Sequence, residues 1–358
     1  MQTQPRTSLI LEISAIDLGF HQTKYTTGRT SSGAGAETTI SAASFPSIAS
    51  SGFAGNLNGA RALDGVAIEQ DGQKYFVGQS SAKLLNSTGQ IRAANENYCR
   101  SPEYAALFKG ALWHIARHHR VTGSLVIKHL VVGLPMTTVY ENTDFLESLC
   151  IGVHDLPCIN DTAGCLKVEV KKVTVVAQPQ GGTVNFVLNS KGRVKVDDQI
   201  LLIDMGGGTF DWFVSEGNFQ PLYELCDAAN IGTLNIASHV ADLIHRNLKS
   251  NQRALEDIDK ALRTGAEFIE IGPNSYRVSD YWPDVCRLVM QAMGSLTNTV
   301  GNTMHTIKHV VLSGGGAALL QRVLQEKNPE LAKLVGVDVD PVYANVRGFH
   351  MIAEISAN

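Results

Sequence analysis

Two stretches of the chain are versions of one another, and this duplication limits the fold more than any other feature. One runs Ile16-Asp17-Leu18-Gly19 toward Lys24, and the other runs Leu201-Leu202-Ile203-Asp204-Met205-Gly206-Gly207-Gly208-Thr209-Phe210-Asp211. In each, an apolar strand-like run delivers one aspartate into a glycine-permitted turn. Backbone can approach a phosphate closely there, and a carboxylate can hold a metal. Two such turns facing each other would form a nucleotide clamp. A third element, Val310-Val311-Leu312-Ser313-Gly314-Gly315-Gly316, opens directly into the helix-like run Ala317 to Leu324. The combination points to a nucleotide phosphatase or kinase built from a duplicated domain.

The residues after the second turn discriminate between fold classes. Phe210-Asp211-Trp212-Phe213-Val214 is strand-like, so the glycines lead from strand into strand. In a dinucleotide-binding fold they lead from strand into helix, and a Rossmann oxidoreductase is disfavoured. No G-x-x-x-x-G-K-[ST] run occurs, so the P-loop solution to phosphate binding is absent.

The length of 358 residues suits two compact lobes. A formal charge of −4 gives no concentrated basic face, which argues against direct nucleic-acid binding. Lys171-Lys172 and Lys191 to Lys195 read as solvated strand edges and a turn. Glu12 and Asp17 interrupt the apolar stretch within Met1 to Phe20, so no secretory signal is expected, and no run reaches the length of a membrane span. A cytoplasmic protein without membrane contact is the expectation. The six cysteines form no C-x-x-C pair. The spacing of Cys150, His154, Cys158 and Cys165 matches no standard zinc pattern, and ordinary reduced thiols are expected. His114 and His118 lie one helical turn apart without a metalloprotease glutamate and read as surface histidines.

Periodicity and punctuation place the remaining elements. Leu9 to Leu18 reads as a buried strand and Thr23 to Gly28 as its return. Val66 to Val77 is a hairpin around Asp71-Gly72, because Asp-Gly supplies the positive φ angles of a tight turn. Ser101 and Pro102 open a core helix reaching Ile115. Leu125 to Leu134 is a strand, Thr137 to Leu149 a helix, and Val168 to Ala177 a single β-branched strand ending at Gln178-Pro179. Further helices are expected at Ile236 to Leu248, Ala254 to Leu262 and Pro283 to Thr299, with a loop near Asn328-Pro329 and a terminal turn and helix after Val342.

A triphosphate site needs glycine amides, a cation, and carboxylates that orient hydrated magnesium. Asp17 and Asp204 are the carboxylate candidates, and Lys24 is the cation. The set resembles the actin, Hsp70 and sugar-kinase ATPase superfamily, with one phosphate motif from Asp17 to Lys24, a connecting segment from Gln178 to Gly182, a second phosphate motif from Asp204 to Asp211, and an adenosine motif at Gly314 to Gly316. Within it, Gly133-Leu134-Pro135-Met136-Thr137, Asn230-Ile231-Gly232-Thr233-Leu234 and Ala344-Asn345-Val346-Arg347-Gly348-Phe349 look most like ParM/StbA-type bacterial actins and their archaeal relatives.

That resemblance implies an α/β actin-like ATPase fold, with two duplicated ribonuclease-H-like lobes and nucleotide in the cleft between them. Lobe I would span residues 1–198 with a small subdomain at about 30–93. Lobe II would span 199–341 with a small subdomain at about 236–280, and 342–358 would return to lobe I as a helix. ATP and Mg2+ are the implied cofactors. Asp17 and Asp204 would hold magnesium through water, while Gly19, Lys24, Gly206, Gly207, Gly208, Thr209, Gly232, Gly314, Gly315 and Gly316 would contact the nucleotide. Gln178, with Gln180 as the competing position, would orient the attacking water. Bacterial segregation actins usually carry an acid there, and the amide is similar to eukaryotic actin instead. Self-association into filaments and a DNA-binding adaptor on a plasmid are the implied partners. The alternative is a non-filamentous relative, either a small-molecule kinase or a nucleotide-gated scaffold. An Hsp70 chaperone is not expected, since little chain remains after the adenosine motif.

Overall fold

The computed structural model describes residues 5–31, 38–51, 63–84, 97–157 and 165–357. Strand β1 (Arg6–Leu18) returns as β2 (Gln22–Ser31), with Asp17 directly opposite Lys24 in the antiparallel ladder, and β3 (Thr38–Pro46) extends the sheet. Three short strands, β4 (Ala49–Ser51), β5 (Val66–Gln70) and β6 (Gln73–Val77), form a separate sheet in the order β4-β6-β5. Its hairpin turns at Asp71 and Gly72, whose φ angles of 51° and 74° are those the Asp-Gly pair was expected to supply. The rest of the expected 30–93 subdomain lies largely outside the described residues.

Helix α1 (Pro102–His118) starts at Ser101, whose side chain accepts a hydrogen bond from the Tyr104 amide, with Pro102 in the first turn. Its inner face corrects the reading of His114, which is 7% exposed and stacks 4.8 Å from Phe45 while meeting Trp113 edge-on at 5.1 Å. Position 114 falls three residues after Ala111, on the stripe that faces the core. Burial lowers the His114 pKa to about 4, so the ring stays neutral. His118 is exposed as expected.

The chain then forms β7 (Val121–Leu134), α2 (Val139–Cys150), β8 (Gly152–Pro157), β9 (Cys165–Val170), β10 (Val173–Ala177) and α3 (Gln178–Asn189). The single strand expected over 168–177 is two. β9 pairs with the first part of β7 and β10 with the second, and Lys171-Lys172 form the step between them, still hydrogen-bonded to Ile127 and Leu130. Cys150 and His154 are buried, Cys165 is exposed, and Cys158 lies outside the described residues. Among the described residues no three metal-ligating side chains gather.

The second unit comprises β11 (Gln199–Met205), β12 (Phe210–Glu216), β13 (Asp227–Ala229), α4 (Thr233–Ile244), α5 (Gln252–Thr264), the hairpin β14 (Phe268–Ile271) and β15 (Asn274–Arg277), and α6 (Trp282–Val300). Then come β16 (Ile307–Ser313), α7 (Ala317–Lys327), α8 (Pro329–Leu334), β17 (Val335–Val337) and α9 (Ala344–Ala357). The loop expected at Asn328-Pro329 is the start of α8, because the Asn328 side chain accepts from the Leu331 amide and Pro329 fits the first turn.

The two main sheets repeat one plan. In the first, β3-β2-β1-β7 continues to β10 on one part of β7 and to β9-β8 on the other; in the second the order is β13-β12-β11-β16-β17. In both, a hairpin whose first strand has aspartate as its penultimate residue is flanked by a parallel strand. One core lies between the first sheet and α1, and a second gathers β11, β12 and β16 with α4 to α7. Helix α9 packs on the first sheet through Val346, Phe349 and Ala353 against Ala15, Val131 and Val176. It also crosses α3 so closely that a Cβ on Gly348 would lie 1.7 Å from the Gly181 carbonyl oxygen.

Candidate functional site

Strands β1 and β11 each carry a buried aspartate as their penultimate residue, Asp17 at 1% exposure and Asp204 at 7%, and both line one cavity of about 320 Å³. Asp17 accepts from Lys24 Nζ at 2.8 Å through Oδ2 and from Gln178 Nε2 at 2.8 Å through Oδ1. Asp204 Oδ2 accepts from Asn345 Nδ2 at 2.5 Å. The register explains the first pair, since Lys24 is the residue opposite Asp17. Gln178 arrives because β10 lies parallel to β7 and hands over to α3 at the level of Leu134.

Burial pushes the Asp204 carboxyl up, Lys24 and Asn345 pull it back, and Asp17 pushes it further. For Lys24, burial favours the neutral amine, but Asp17 and then Asp204 carry its pKa above the ordinary value, so it remains an ammonium. Two buried carboxylates therefore face one ammonium. The excess negative charge in a desolvated cleft suits a hydrated cation brought in with a polyanion. Asp211, opposite Asp204 in the hairpin and 3% exposed, is pushed up by burial to about 7; the Thr209 hydroxyl opposes this and Asp204 adds to it. Its Oδ1 also accepts from the Met136 amide at 3.2 Å, a bond between the two units.

Glycine is required where the motifs meet. Gly314 has φ +83°, and a Cβ there would lie 2.1 Å from Asp204 Oδ1. A Cβ on Gly207 or Gly208 would lie 2.9 Å from His21 Cβ or 2.6 Å from the Phe20 ring, so the tip of the first hairpin rests on the second. The Gly206 and Gly207 carbonyls accept from the Thr233 and Leu234 amides, which fixes the start of α4, and Gly316 N donates to the Met205 carbonyl at 2.9 Å.

Of the residues singled out from sequence, Asp17, Gly19, Lys24, Gln178, Asp204, Gly206, Gly207, Gly314 and Gly315 line this cavity. Gly208, Thr209, Gly232 and Gly316 do not. Gly232 and Gly316 serve close approach instead, since a Cβ on Gly232 would meet the Gly207 carbonyl at 2.3 Å. Gln180 lines neither this cavity nor its neighbour. Sequence reasoning missed Asn345 as a site residue: the Ala344 to Phe349 run was read as a terminal turn and helix and as part of the ParM-like resemblance, without a role for the asparagine. It also missed Arg263, which lines the cavity and pairs with buried Asp259 at 2.7 Å. His21 stands 3.7 Å from the same Asp259 oxygen, linking the first hairpin to α5.

The family model for the N-terminal domain of actin-like proteins matches residues 15–181, and that for the C-terminal domain of the archaeal MreB-like actin homologue matches 202–326. None of the curated proteins matches the sequence. Among solved structures, an archaeal actin homologue superposes with a TM-score of 0.72 at 15% identity, over 96% of this chain and 100% of that one. A 15-stranded ParM filament from Clostridium botulinum gives 0.71 at 18% identity, over 97% and 100%. Bacillus thuringiensis ParM with AMPPNP gives 0.62 at 14%, over 96% and 99%. The same archaeal homologue has also been solved in complex with ADP. At these identities the likeness shows the fold, which is actin-like, with the duplicated α/β plan expected from the two aspartate hairpins.

Proposed function

The chain belongs to the actin-like proteins, and from that premise we propose that it is a Mg-dependent ATPase whose ATP-bound form polymerises, serving plasmid or DNA segregation in the cytoplasm through a DNA-binding adaptor. The observation that carries the reading is the Asp17–Lys24–Gln178 cluster sharing one buried cavity with Asp204. The lobe boundaries near 198 and 341 belong to the same proposal.

Asp17 and Asp204 are the residues that would hold magnesium, through its waters, and Lys24 with the glycine amides would bind the phosphates. When bound, the metal neutralises charge on the triphosphate. Lys24 is held as an ammonium by the carboxylates around it. Asn345 anchors one oxygen of Asp204 and leaves the other for a water. Gln178 cannot serve as a strong base, so its carboxamide orients the attacking water. In the present arrangement its Nε2 is committed to Asp17, which leaves Oε1 to accept a hydrogen bond from the water and so to orient it.

The ADP complex of the archaeal homologue and the AMPPNP complex of the Bacillus protein support nucleotide binding. The Clostridium filament supports polymerisation. Two units sharing one nucleotide change their relative angle with phosphate state, and a head-to-tail contact touching both is favoured at one angle only. Sedimentation, light scattering and electron microscopy with ATP, a non-hydrolysable analogue and ADP test this. Filaments above a critical concentration with ATP or the analogue, lost with ADP, are expected. Hydrolysis by a protein that stays monomeric or dimeric would overturn the filament reading and leave the kinase or scaffold alternative.

A further inference from the structure

Two exposed tyrosines meet across the junction of the units. Tyr140 in α2 is 69% exposed, Tyr223 in the turn between β12 and β13 is 55% exposed, and their rings stand edge to face with centroids 6.0 Å apart. An aromatic pair held in solvent is the kind of anchor that interfaces bury. Asp144 and Glu147 follow Tyr140 at the i+4 and i+7 positions of α2 and share its face, while Glu224 and Asp227 accompany Tyr223, and all four acids are exposed. The sequence has no lysine, arginine or histidine from Leu130 to Val153 or from Val196 to Ser238, so every charge that these two segments carry is negative. Arg100 reaches α2 from a different side, over the Phe145 ring at 4.5 Å, roughly 140° around the helix from Tyr140.

The opposite chemistry stands at the end of the β11–β12 hairpin where Gln199 pairs with Glu216. Lys191, Arg193 and Lys195 are exposed in the segment that joins α3 to β11, and Val196 beside them is 63% exposed. Asp197 is the one exposed acid that follows. The segment has a fixed shape. Lys191 and Gly192 take φ angles of 55° and 79°, the Arg193 and Asp198 amides donate to the Ser190 and Lys195 carbonyls, and a Cβ on Gly217 would strike the Lys195 carbonyl, so the segment is seated on the turn after β12.

We propose that the Tyr140–Tyr223 surface docks the 191–196 segment of a second copy of this chain. The three cations meet the acids, Arg193 stacks on a tyrosine ring, and Val196 covers the apolar part of the pair. The two surfaces occupy different places on one chain, so the contact is heterologous and can repeat from copy to copy. It is small and therefore weak alone, adding to the other contacts of an assembly. Because each unit contributes one tyrosine, the shape of the surface follows the angle between the units. The proposal rests on the polymerisation reading and names one contact within it.

The test uses two full-length variants, each with one surface reversed: Lys191→Glu with Arg193→Glu and Lys195→Glu, and Asp144→Lys with Glu224→Lys and Asp227→Lys. Sedimentation and light scattering with ATP at low salt give the critical concentration. Either variant alone should raise it about tenfold, because several weak attractions become repulsions, while ATP binding measured by calorimetry stays as in wild type. An equimolar mixture of the two should bring it back to within about threefold of wild type, since every segment then finds a surface of opposite charge, and the defect of each variant should shrink at high salt. An unchanged critical concentration in either variant, or a raised one that mixing does not lower, would overturn the contact and leave polymerisation standing. A wild-type chain that stays monomeric with every nucleotide would overturn both.

Discussion

Asp211→Asn should stabilise the protein by an amount that grows with pH. Asp211 is 3% exposed, and its carboxyl titrates at about 7 in the folded chain against an ordinary value of 3.8. The folded chain therefore retains a proton that the unfolded chain has released between these values. Stability from this group is complete below pH 3.8 and is lost as pH rises through 7. A displacement of about three pH units corresponds to about 4 kcal/mol. Asparagine does not ionise, and its carboxamide oxygen can still accept from the Met136 amide. Other titrations, such as that of His114, held near 4 by burial, raise stability with rising pH, but they are common to both proteins and cancel in the difference. Urea unfolding of both proteins between pH 5 and 8 measures it. The advantage of Asp211→Asn should widen by about 2–3 kcal/mol over that range. A difference that does not change with pH would refute the reasoning, as would an asparagine variant less stable at pH 8.

Asp204→Ala should abolish phosphate release, because a site that works by electrostatic positioning loses one of its two carboxylates; wild-type release by the purified variant would remove the assignment. Gln178→Ala should slow hydrolysis far more than it weakens nucleotide binding, and normal hydrolysis in it alongside a defect in Gln180→Ala would show that the other amide acts on water. Gly314→Ala should cost about 3 kcal/mol, combining left-handed backbone strain with a Cβ 2.1 Å from Asp204 Oδ1, and should lower nucleotide affinity; an unchanged denaturation midpoint would count against it. Asn345→Ala removes the donor that holds the Asp204 carboxyl down, so the acid limb of the hydrolysis pH profile should move to higher pH, and an unmoved limb would show that Asn345 plays no part.

Local signals were legible where neighbours in sequence supply their own partners. The Asp71-Gly72 turn, the Ser101 cap and both aspartate hairpins are set by short-range sterics and hydrogen bonding. Errors arose where a tertiary partner decided. Within Val168 to Ala177 the Lys171-Lys172 pair interrupts the β-branched pattern, but two lysines in a row are also compatible with one continuous strand, and only the pairing of the two parts with different stretches of β7 shows that it is divided. His114 looked like a solvent histidine beside His118, yet Phe45 arrives from β3 to cover its ring.

By itself the sequence determined the duplicated plan and the two acids near the ends of its paired strands, since alternation and glycine turns act within a few residues. Lys24 stands beside Asp17 by hairpin register, but only the tertiary structure decided which distant residues stand beside those acids. Asn345 reaches Asp204 across 141 positions and Gln178 reaches Asp17 across 161, separations at which no periodicity carries information. The physical reason is that these bonds depend on how α9 and α3 pack. That packing is set by the glycine contact at Gly181 and Gly348 and by the burial of Phe349, not by any property of Asn345 or Gln178 themselves.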